Sequence, residues 1–168
     1  DIDNDGWLEA FVCHDGDQRH PDRNNGSGLV AEDQSLINTL PVGGNYAAIW
    51  CDYDNDQDID LYITKCRSGA PVGDPQRINL LYRNDGNGTF TEVGAATNMN
   101  DGEQSWSTVF EDFDNDGDFD AFVVNHTGQN KFMLNNGNGT FTETIATTGI
   151  SATDLGAWES QGADFDND

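Results

Sequence analysis

Short apolar runs set between clusters of turn residues give the chain its rhythm. "DLYIT" from Asp60 and "DAFVV" from Asp120 are β-branched and aromatic runs of strand length, too short for an amphipathic helix. "NNGSG" from Asn24, "NDGNG" from Asn84 and "NNGNG" from Asn135 are hairpin turns, where Gly and Asn tolerate the positive φ that the turn demands. The stretch after Gln104 shows the full cycle. "SWSTVFED" enters an Asp-rich loop, "DAFVVN" leaves it, "KFMLN" runs to the Asn-Gly turn and "TFTETI" returns. Four short antiparallel strands in about 50 residues are the content of one propeller blade.

The pattern recurs. "DIDNDGWLEAFV" from Asp1, "DYDNDQDIDLYI" from Asp52, "DFDNDGDFDAFV" from Asp112 and "DFDND" from Asp164 begin 51, 60 and 52 residues apart. A turn feature follows each complete motif, at Arg23, Arg83 and Leu134, offset by 22, 31 and 22 residues. The middle unit therefore carries a nine-residue insertion, placed around "SGAPVGDPQ" from Ser68 to Gln76. An aromatic residue, Tyr46, Trp106 or Trp158, precedes the second, third and fourth motifs by six residues. These landmarks divide the chain into a partial blade at 1–40, blades at 41–95 and 96–150, and the start of another at 151–168. The expected fold class is all-β, with about three blades present. A closed propeller takes 4–8, so the chain is expected to be part of a larger propeller or repeat array.

The motif D-x-D-x-D-G-x-x-D has the chemistry of a calcium loop. Calcium takes six to eight oxygen ligands. Alternate residues of a tight loop converge, position 7 offers a backbone carbonyl, and position 9 closes the cage. The expected ligands are Asp1, Asp3, Asp5 and Glu9 in the first loop. In the second they are Asp52, Asp54, Asp56 and Asp60, with the Asp58 carbonyl. In the third they are Asp112, Asp114, Asp116 and Asp120, with the Asp118 carbonyl. The fourth begins with Asp164, Asp166 and Asp168. Two carboxylates about 5 Å apart repel by roughly 3 kcal/mol at an effective dielectric near 20, so such loops call for a cation. Magnesium fits less well, because it demands a tight octahedron and retains water. An EF-hand is excluded: its position 12 is a bidentate Glu between helices, whereas here Val12, Ile63 and Val123 are apolar strand residues. Tandem thrombospondin-type calcium repeats pack their motifs more closely, with little β-structure between.

Charge narrows the partners. The 31 acidic and 7 basic residues give a formal net charge of -24. That excess repels nucleic acid and anionic membrane surfaces. No apolar run approaches the roughly 20 residues of a membrane span. Disorder is disfavoured by four Trp, four Tyr and nine Phe.

The remaining candidate chemistry is thin. Cys51 and Cys66 flank the second loop and are even candidates for a disulfide or for two free thiols; Cys13 has no partner in such a scheme. Glycan acceptor sequences occur at Asn25, Asn87, Asn125 and Asn138, and turn chemistry accounts for three of them. His14, His20 and His126 share no repeat position and have the pattern of surface histidines. The three landmark aromatics are expected to pack between blades, with sugar stacking as the rarer role. No nucleophile triad or phosphate loop stands apart from the Asp motifs, so no enzymatic activity is expected.

"WSTVFEDFDNDGDFDAFVVNHTGQNKFMLNNGNGTFTET" from Trp106 resembles the FG-GAP/VCBS repeat of integrin-α-type β-propellers, in the form common in secreted bacterial proteins and the cartilage acidic protein group. The resemblance implies calcium in the hairpin loop between the first two strands of each blade, at the positions named above. It also implies secretion or cell-surface display, with adhesion, matrix or carbohydrate contact. Two residues depart from the pattern: Gln57 stands at the position-6 glycine, and Glu9 at the position-9 aspartate. The expected function is a calcium-rigidified structural or adhesive module of an extracellular protein. The alternatives are a ligand- or carbohydrate-binding propeller attached to a secreted enzyme, and a subunit of an extracellular filament. Partners would accordingly be calcium and extracellular proteins, glycans or further copies of the chain.

Overall fold

A computed structural model describes residues 1–16, 20–31, 35, 37, 42–152 and 157–163. The fourth Asp motif, with Asp164, Asp166 and Asp168, lies outside the described residues. Among the described residues, eleven strands form three antiparallel sheets. The first sheet holds β1 (Ala10–Val12), β2 (His20–Asn24) and β3 (Leu29–Val30). The second holds β4 (Asn45–Cys51), β5 (Asp60–Lys65), β6 (Leu80–Asn84) and β7 (Phe90–Glu92). After the short helix α1 (Gly94–Thr97), the third holds β8 (Gln104–Glu111), β9 (Asp120–Thr127), β10 (Lys131–Asn135) and β11 (Phe141–Glu143), with α2 (Ile145–Thr148) following. Strand order within both four-stranded sheets follows the chain, an up-and-down meander.

The sheets stack face against face, and this is why β5 is buried along its whole length instead of alternating. Leu61 and Ile63 join Leu80 and Tyr82 of β6, with Ile2 and Ile37, in one cluster. Tyr62 and Leu81 point the other way, into a second cluster with Phe110, Ala121, Val123 and Met133 of the third sheet. Strand periodicity alternates the sides, and a neighbour on each side buries both. The insertion at 68–76 lies in the connection from β5 to β6, where β-turns such as Asp74 N–H to Pro71 O (3.1 Å) compact it.

The helical turns are absent from the sequence-based expectation, which runs "TFTETI" as strand. β7 and β11 stop after three residues. The Glu92 side chain then accepts from Gly94 N–H (2.8 Å) and the Glu143 side chain from Ile145 N–H (2.8 Å), which bends the chain out of the sheet. Each turn ends on a left-handed residue, Asn98 or Gly149.

The landmark aromatics link the sheets. Tyr46 and Trp106 sit where the registers of β4–β5 and β8–β9 shift, as residues of β-bulges. Tyr46 stacks on Trp106 with ring centroids 5.2 Å apart, and Trp106 meets Trp158 edge-on at 4.4 Å. His126 also stacks on Trp106, at 4.3 Å, so it is a packing residue and not an ordinary surface histidine.

The Cys51–Cys66 disulfide is not formed: both residues are thiols. Hairpin register explains this. Cys51 pairs with Asp60 at the loop end, whereas Cys66 follows Lys65, the partner of Asn45, at the other end. Asn125 is likewise no glycan acceptor in this fold. It is fully buried, donating to Asp101 Oδ2 (2.7 Å) and Gln129 O (2.6 Å) and accepting from Ser105 Oγ (2.6 Å). Asn25, Asn87 and Asn138 are exposed.

Candidate metal centre

In the second and third sheets the Asp-rich segment connects the first two strands, from Cys51 to Asp60 and from Glu111 to Asp120, and in the first sheet it precedes β1. The loops share one hydrogen-bond pattern. The position-1 carboxylate accepts two backbone amides from across the loop. Asp1 takes Asp5 N–H (3.0 Å) and Gly6 N–H (2.7 Å), Asp52 takes Asp56 (3.1 Å) and Gln57 (3.0 Å), and Asp112 takes Asp116 (3.0 Å) and Gly117 (3.0 Å). The position-5 carboxylate accepts the position-7 amide at 2.9, 2.9 and 3.0 Å. Positions 4 and 6 take positive φ: Asn4 60°, Asn55 59° and Asn115 61°, then Gly6 93°, Gln57 76° and Gly117 95°. Asn visits this region more readily than most side chains.

Three carboxylates converge in each loop. Oxygens of Asp1, Asp3 and Asp5, of Asp52, Asp54 and Asp60, and of Asp112, Asp114 and Asp116 lie within 4.8 Å of one another in their groups. Glu9, Asp56 and Asp120 stand outside these tightest sets. The position-9 acids have a second task that the motif alone does not reveal. Asp60 is buried, with Oδ2 accepting Tyr53 N–H (3.0 Å) and Oδ1 accepting Asn84 N–H (2.8 Å). Asp120 repeats this with Phe113 N–H (3.3 Å) and Asn135 N–H (2.8 Å). Glu9 accepts Ile2 N–H at 2.7 Å. Asp60 and Asp120 thus tie the start of their loops to the third strand of their sheets, whereas Glu9 holds the start of its own loop.

Position 7 also reaches the turn feature. Asp58 and Asp118 lie outside the converging groups, with their carboxylates over Gly86 and Gly137, and Trp7 covers Gly26 in the first unit. A Cβ on any of these glycines would lie 2.6 to 2.9 Å from the covering side chain. The backbone carbonyls of Asp58 and Asp118 are what these residues have to offer an ion. The Asn that opens each turn props the loop from below: Asn24, Asn84 and Asn135 donate to the position-8 carbonyls of Leu8 (3.1 Å), Ile59 (3.2 Å) and Phe119 (3.2 Å). The recurrence of the turn after each complete motif is the sequence signature of this support, although the order alone does not disclose the contact.

Electrostatics follow from crowding and burial. Burial pushes Asp60 up to about 7, against two backbone hydrogen bonds that lower it. Burial, then Asp56 and Asp52, raise Asp54. Burial is also the main reason Asp120 is raised. Among the described residues, Asp3 Oδ1, Glu9 Oε1 and Asp54 Oδ1 are shielded from water with no hydrogen-bond donor. Buried carboxylate oxygens left so carry a large desolvation cost. A hard cation among these oxygens satisfies them, so the donor set fits such an ion.

The family model for the FG-GAP-like repeat matches the chain twice, over residues 66–123 and 112–168, together more than half its length. This chain belongs to the FG-GAP-like repeat family. Both matches contain the third Asp loop, and the first runs from the second sheet into the third. No curated protein matches the chain in sequence.

Proposed function

We propose that the chain is a calcium-binding repeat module of an extracellular protein, with a structural or adhesive role and no catalysis of its own. Membership of the FG-GAP-like family supports a structural or adhesive repeat module. The observation that carries calcium is the buried, donorless oxygen of Asp3 and of Asp54, each beside two further carboxylates in a short loop. Oxygen-only donors and the backbone carbonyl at position 7 favour calcium over softer metals. In the second and third sheets an ion in the loop would join the first two strands, and through Asp60 or Asp120 it would brace the third. Millimolar extracellular calcium matches the affinity range of such modules, about 10⁻⁴–10⁻³ M.

The test is calorimetric titration of the chelator-treated full chain with calcium and, separately, magnesium. One calcium per complete loop is expected, with magnesium far weaker. Asp114→Ala is expected to remove the third site and to lower the melting temperature measured in calcium. Absence of calcium uptake at millimolar concentration overturns the reading.

A further inference from the structure

We propose that one strand position per repeat, occupied by Arg23, Arg83 and Leu134, grades calcium affinity among the loops, with the third tightest and the first weakest. This rests on the calcium reading above and concerns how the sites differ. The three residues are structurally equivalent. Each is the last but one of its strand, paired with Val30, Thr91 and Thr142 respectively.

Their surroundings differ by one charge. In the first repeat Arg23 Nη1 donates to Asp3 Oδ2, an ion pair on the position-3 carboxylate, with the two side chains 33% and 16% exposed. In the second, the Arg83 guanidinium is held to Asp85 Oδ1 through Nε (3.0 Å) and Nη2 (2.8 Å). It lines the same cleft as Asp54, the position-3 carboxylate of that loop. In the third, Leu134 is half-buried and apolar, and this position brings no cation to Asp114.

A guanidinium cannot release its charge by losing a proton. Beside a loop it acts twice. It repels an arriving divalent ion, and it relieves the repulsion among carboxylates that the ion would otherwise relieve. Both effects lower affinity. A unit charge about 6 Å from a calcium ion, screened as in water, changes binding about tenfold. The first loop is then the least dependent on calcium for its shape and the last to fill.

Amide NMR of the full chain during calcium titration reads the sites separately. Gly6 and Gly117 occupy the same loop position and donate to Asp1 Oδ2 and Asp112 Oδ2. The Gly117 signal is expected to respond at lower calcium than Gly6. Arg23→Leu should lower the Gly6 midpoint about tenfold, and Leu134→Arg should raise the Gly117 midpoint by a similar factor. Arg23→Gln keeps a donor for Asp3 without the charge and should behave as Arg23→Leu does. Thermal unfolding in saturating calcium confirms that each variant folds. If the wild-type glycines ignore calcium, the calcium reading falls and this proposal with it. If they respond but the swaps leave both midpoints in place, or Arg23→Leu weakens the first site, calcium binding stands and the graded counter-ion is overturned.

Discussion

Gln57 holds φ at 76° where the corresponding residues of the other complete loops are Gly6 and Gly117. A side chain in the left-handed region costs about 1–2 kcal/mol relative to the right-handed default. Its side chain is exposed, so no packing offsets that cost. Glycine relieves it but returns about 0.5–1 kcal/mol through the larger freedom of the unfolded chain. Gln57→Gly is therefore expected to stabilise the protein by up to about 1 kcal/mol, seen as a higher denaturant midpoint at unchanged slope. A lower midpoint would show that the strain is compensated elsewhere in the loop.

The loops of the second and third sheets touch. Asn55 Nδ2 donates to Gly117 O (3.2 Å) and Asp118 Oδ1 (2.5 Å), and Asn135 Nδ2 donates to Tyr53 O (2.9 Å). An exposed amide–carboxylate contact of this kind carries about 0.5–1 kcal/mol. A double-mutant cycle on Asn55→Gly, which keeps the positive φ, and Asp118→Ala should return a coupling of that size in denaturant unfolding. A coupling of zero would make the loops independent units. The sequence announces loops and strands because each landmark repeats: "KFMLN" is β10 to the residue, and the insertion falls where the offsets place it. Contacts between repeats leave no such trace, since a single residue such as Asn55 has no periodicity. The same blindness covers Cys51 and Cys66. Sequence shows that they flank a loop, but only strand register shows that they end at opposite ends of a hairpin. The bulges at Tyr46 and Trp106 were hidden in the same way, since a bulge is a mismatch between two strands and not a property of either one.

A net charge of -24 on 168 residues sets the behaviour of the whole molecule. Two accounts of its aspartates predict different responses. If they form a solvated acidic surface, sodium chloride screens their repulsion and stabilises the fold. If they are calcium ligands, a specific ion must occupy the loops, and monovalent salt substitutes poorly. At free calcium about tenfold above the dissociation constant, each site adds roughly 1.4 kcal/mol, and three independent sites add about 4 kcal/mol. For a chain of this size that raises the melting temperature by roughly 10 °C. Acidity separates the accounts further. Without calcium, burial holds Asp60 at about 7, above its unfolded value of about 3.9. Across that window the folded chain keeps a proton that the unfolded chain has lost, so stability falls as pH rises. The chelated protein should therefore melt higher at pH 5 than at pH 7.5. Calcium requires the ionised carboxylates, so in millimolar calcium this preference should disappear or reverse. Thermal unfolding at both pH values, in chelator, in chelator with high salt, and in calcium, gives the comparison. Rescue by salt equal to rescue by calcium, with the same pH trend in both, would leave the aspartates as a charged surface and remove the metal from this fold.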